Sequence, residues 1–102
     1  MILRVDRSGT RVDLIDPEQL RELKVVAPAG QTAAATASTF GDGARLEDDS
    51  HIWIPAETIL ALAGGRPAEW EERFRETLRA VEPAGWYDGR ADAVRVHIET
   101  TP

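Results

Sequence analysis

Short runs of alternating apolar and polar residues open and close the chain, and runs with helical spacing lie between them. Leu3 and Val5 alternate with Arg4 and Asp6, Arg7-Ser8-Gly9 supplies turn chemistry, and Val12 and Leu14 alternate with Arg11 and Asp13. A period of two on either side of a turn predicts an N-terminal hairpin. Asp16-Pro17-Glu18-Gln19 follows, with a capping carboxylate, a proline at the first helical position and a Gln placed to complete a capping box. A short helix to about Leu23, burying Leu20 and Leu23, is expected there. Val25-Val26-Ala27, ended by Pro28 and Gly30, predicts a brief buried strand.

The stretch from Gln31 to Phe40 carries four alanines and four Ser or Thr residues between two glycines. It is read as a helix, with a flexible loop as the alternative, because its small side chains bring little surface to bury. Ala44–Glu47 and His51–Ile54 flank Asp48-Asp49-Ser50 and predict a second hairpin. Pro55 should end that strand and open a helix through Ile59, Leu60 and Leu62, stopped by Gly64-Gly65. Pro67 opens the most strongly patterned helix: Trp70, Phe74, Leu78 and Val81 share a stripe, while Glu69 with Arg73 and Glu71 with Arg75 are spaced for ion pairing. Val94, Val96 and Ile98, alternating with Arg95, His97 and Glu99, predict a closing strand with one buried face.

This order predicts one α+β domain over residues 1–102, with a mixed or antiparallel sheet and helices mainly on one face. From the third strand onward it matches a ferredoxin-like split β-α-β sandwich carrying an extra N-terminal hairpin. The C-terminal half resembles small uncharacterised proteins of actinobacteria, through His51-Ile52-Trp53-Ile54-Pro55, Ala61-Leu62-Ala63-Gly64, Trp70 with Phe74, Gly85-Trp86 and Val94–Glu99. That resemblance implies a small cytoplasmic protein and carries over no catalytic residue.

Composition narrows the chemistry. Twelve basic residues against eighteen acidic ones leave a formal charge of −6, which repels phosphate backbones, so nucleic acid is not expected as a partner. The absence of cysteine excludes disulfides, thiolate metal sites and cysteine nucleophiles, and cytoplasmic location is the default expectation. Neither an export signal nor a membrane contact is expected, since Met1–Asp6 lacks a basic leader and no long apolar run follows. Eleven of the twelve basic residues are Arg, a bias that with the many alanines suggests GC-rich coding.

Asp48, Asp49, Ser50 and His51 could ligate a divalent cation, but turn chemistry beside a strand accounts for all four, and no metal or cofactor is expected. Ser50 and His51, as neighbours on a strand, would point to opposite faces and make a poor nucleophile–base pair. Gly41-Asp42-Gly43 and Gly64-Gly65-Arg66 lack what a phosphate-cradling loop requires. No catalytic residue is assigned.

Alternation leaves one less ordinary arrangement. If Ile52 and Ile54 face the helices, His51 and Trp53 lie on the opposite sheet face together with Arg95 and His97. An aromatic ringed by polar groups suggests an interface, unless the N-terminal hairpin or the Trp86-Tyr87 loop covers it. The leading expectation is therefore a non-enzymatic binding protein that uses this face for self-association as a homodimer, or for another cytoplasmic protein. The alternative is a small-ligand binder or small enzyme with His51, His97, Arg95 and Tyr87 around a shallow pocket, a histidine serving as acid or base.

Overall fold

The computed structural model describes residues 1–101. Seven strands and three helices follow in the order β1 (Ile2–Val5), β2 (Val12–Ile15), β3 (Lys24–Ala27), α1 (Ala33–Thr39), β4 (Arg45–Asp48), β5 (His51–Pro55), α2 (Ala56–Leu62), α3 (Ala68–Val81), β6 (Tyr87–Asp88) and β7 (Ala93–Thr100). The protein is α+β, and its single mixed sheet runs β2-β1-β3-β7-β5-β4, with β6 also paired to β7. β1 with β3 and β3 with β7 are parallel, and the other pairs are antiparallel.

Alternation sorts each strand into two faces. Leu3, Val5, Val25, Ala27, Ile52, Ile54, Val94, Val96 and Ile98 are buried in one cluster with Ala33, Ala37, Ala56, Ile59, Trp70, Phe74 and Leu78 from the helices. The helices therefore share one side of the sheet. On α3 the four-residue spacing stacks Trp70 on Phe74, ring centroids 5.4 Å apart, and the Trp70 indole N–H donates to the Pro17 carbonyl at 2.8 Å.

Three expectations are corrected. Residues 16–23 form two turns instead of a helix: Asp16 adopts a left-handed φ of 50°, the wrong backbone for an N-cap. Its carbonyl accepts from Gln19 N–H and that of Gln19 from Glu22 N–H, while the Met1 ammonium also bonds the Gln19 and Glu22 carbonyls. Leu20 and Leu23 still pack on the core, so the apolar spacing was used by a different backbone.

The second correction concerns topology. The element order of a split β-α-β sandwich is present from β3 to β7, but β5 and β7 are adjacent and antiparallel rather than separated by an intervening strand. Third, Arg73 and Arg75 reach off the helix, to Glu18 at 2.8 Å and to Glu57 and Asp92 at 3.0 and 2.7 Å, and not to Glu69 and Glu71. The expected helix between Gln31 and Phe40 is present as residues 33–39, where the Thr32 hydroxyl accepts from Ala35 N–H at 3.1 Å and satisfies one of the free amides of the first turn.

Candidate functional site

The face away from the helices carries the sequence-predicted residues. His51 pairs with His97 and Trp53 with Arg95 in the β5–β7 register, so all four project to the same side. The two imidazole centroids lie 5.2 Å apart. β4 supplies a contribution that the pattern did not predict. A bulge between Leu46 and Asp48 sets two residues of β4 against one of β5, and Glu47 joins Asp48 on this face. Glu47 accepts from the Trp53 indole N–H at 3.3 Å and from the Arg95 guanidinium. With the Arg45 guanidinium 5.8 Å from its ring, Trp53 is half-buried by its own neighbours and is not the exposed aromatic that alternation suggested.

That role falls to Trp86. It is 39% exposed, lies 4.9 Å beneath the Arg95 guanidinium and 6.2 Å from His51. Gly85, at a φ of 89°, turns the chain out of the helical region, and two backbone bonds then hold Trp86: its N–H donates to the Val81 carbonyl and its carbonyl accepts from Arg95 N–H. Tyr87, one residue on, points the other way. It pairs with Val94 on the helix side, and its hydroxyl donates to Asp92 Oδ1 at 2.6 Å. Asp92 also accepts from Arg75, and its carboxyl is held below the ordinary range by the Tyr87 hydroxyl first and then by Arg75 against the opposing effect of burial. The same bond raises the Tyr87 phenol. Tyr87 therefore leaves the set, and the grouping of His51, His97, Arg95 and Tyr87 around one pocket is not formed.

Around His51 the contacts are dense. Its Nδ1 lies 2.9 Å from Asp48 Oδ1 and 3.1 Å from the Ser50 hydroxyl, which sits in the turn and is not aimed away as a strand neighbour would be. The Asp48 carboxyl falls to about 2, through the Ser50 backbone N–H and the His51 ring. Glu47, Asp48 and His51 offer ligand atoms within 4.8 Å of one another, a spacing that could hold a cation. The Arg95 guanidinium already supplies a positive charge there, bonded to Glu47 and 3.9 Å from Asp48.

Next to this patch the sheet has a notch. β3 pairs with β7 only from His97 onward and β6 only at Ala93 and Val94; the Trp86 carbonyl takes the Arg95 amide, and the break on that edge falls at Val96. A cleft of about 280 Å³ opens through the gap onto α3. Buried Phe74, Leu78 and Val94 form its floor, half-buried Leu20, Leu23 and Val81 its walls, and Arg21, Trp86, Arg95 and His97 its rim. Among the described residues no helix is long and apolar enough to cross a membrane. No protein-family model, curated protein or solved structure matches the chain.

Proposed function

We propose that the protein works by binding, through the open sheet face around Trp86, and that the occupant of this face is a second copy of the chain. The observation that carries the reading is Trp86 itself, a large aromatic left 39% exposed on a face without a helix, beside Trp53, His51, Arg95 and His97. Trp and Arg are the residues that concentrate binding energy when a partner excludes water from them. Leaving apolar surface wet costs about 25 cal/mol per Å², so a cover is favoured.

Charge supports a like partner. Along β1, β2, β3, β4, β5 and β7 this face presents Arg4, Lys24, Arg45 and Arg95 against Asp13, Glu47, Asp48 and Glu99, four minus four, or zero. The whole chain carries −6. Two copies repel least where their own charge cancels, and a two-fold interface sets this same neutral face on both sides. Sedimentation of wild type and Trp86→Glu tests the reading. The wild type should have a dimeric mass at micromolar concentration and the variant a monomeric mass with an unchanged circular dichroism spectrum. A monomeric wild type, or a variant that stays dimeric, overturns it.

A further inference from the structure

The cleft beside β6 shares Trp86, Arg95 and His97 with the outer face but has its own apolar interior, and we propose that it binds a small carboxylic acid with an apolar body. Three observations support this. The interior is apolar: Phe74, Leu78 and Val94 below, with Leu20, Leu23 and Val81 at the sides. It is open to solvent for a structural reason, since the pairing along this edge of β7 passes from Trp86 and β6 to β3 at His97 and leaves a break at Val96. Its rim is cationic or titratable on a chain of net charge −6, with Arg21, Arg95 and His97 around the opening and no carboxylate lining it.

The chemistry of the rim selects the head group. Arg95 is already engaged by Glu47, but Arg21 has no carboxylate partner among the described residues, and neither has His97. A guanidinium presents two parallel N–H donors that match a carboxylate. The size of the body follows from the volume: about 280 Å³ is at the small end of the range of roughly 300–1,000 Å³ that ligand pockets occupy. A short alkyl or single-ring tail suits it. Trp86 supplies an aromatic wall at the rim, where the tail meets the head.

The probes are octanoate, 1-octanol and acetate, titrated into the full chain and followed by methyl and amide NMR shifts. Octanoate should give saturable shifts at Leu20, Leu23, Leu78 and Val81, octanol should bind at least tenfold more weakly, and acetate should not saturate. Arg21→Glu, on an exposed position, should weaken octanoate at least tenfold and leave octanol unchanged. Val81→Phe, which fills the cleft, should abolish both, and Leu23→Phe gives a second filling variant should Val81→Phe not fold. Absence of saturable octanoate shifts, equal binding of octanol, or shifts confined to other surfaces would overturn the proposal. Trp86, Arg95 and His97 belong to both surfaces, so the titration is distinguished from the sedimentation result at Leu20 and Val81, which lie off the outer sheet face and report on the cleft alone.

Discussion

At the scale of single residues, three carboxylates show how local chemistry and long-range position combine. Asp48 is fixed by its own turn: Ser50 and His51 are two and three residues away, and their hydrogen bonds bring its carboxyl from an ordinary 3.8 to about 2. A carboxyl held lower in the folded than in the unfolded chain adds stability that is complete above the unfolded value and is lost as pH falls through the folded one. The melting temperature should therefore decline between about pH 4 and pH 2. Asp48→Asn should flatten part of that decline, and a variant with an identical acid limb would contradict the assignment. Glu47 was not legible as a partner of Trp53 and Arg95, because nothing in the residue pattern announces the bulge that turns it to the same face.

Asp92 is the opposite case, since its partners are remote. Its side chain accepts from Tyr87 and Arg75, its carbonyl accepts from the first amide of α2 at 2.8 Å, and its own φ is 51°. Asp and Asn tolerate that backbone and Ala does not. Asp92→Ala should cost about 1–3 kcal/mol in chemical denaturation, combining lost hydrogen bonds with strain. Asp92→Asn should cost less, and equal losses would show that only the charge matters.

At the scale of elements, most of the reading came from periodicity, and periodicity is a local property. The alternation of β1, β2, β5 and β7 and the stripe on α3 each follow from a few neighbouring residues, and each is found. Residues 16–23 show the limit of that logic, because Asp16 takes a left-handed φ of 50° and the chain closes two turns, Gln19 N–H to the Asp16 carbonyl and Glu22 N–H to that of Gln19, where the spacing suited a helix. Arg73 and Arg75 show it again: their spacing suits Glu69 and Glu71, but Glu18, Glu57 and Asp92 arrive from other elements. The core seam gives the sharpest element-scale test. Phe74 is 2% exposed and stacked on Trp70, so Phe74→Ala should cost about 3–5 kcal/mol by leaving a cavity between α3 and the sheet. A denaturation midpoint unchanged by the substitution would mean that the seam does not hold α3 down.

At the scale of the whole molecule the sequence says least, because strand order depends on contacts between distant residues that leave no local pattern. β7 lies between β3 and β5, and this placement brings His97 to His51 and Arg95 to Trp53. The candidate face could be drawn from alternation alone, but its exposed aromatic was displaced from Trp53 to Trp86, since Trp86 precedes a strand of only two residues that the pattern does not resolve. Two other surfaces compete with this face for a partner: the outer edge of β2 and that of β4, where Leu46 is 54% exposed. β4 is short, bulged and charged, features that discourage edge pairing.

A dilution series followed by amide and indole NMR shifts separates these surfaces directly. If the open sheet face holds a second copy, lowering the concentration through the micromolar range should move the signals of His51, Trp53, Arg95 and His97 and the Trp86 indole together along one binding curve. Signals that do not change with concentration, or changes confined to β2 or to Leu46 and its neighbours on β4, would contradict the account.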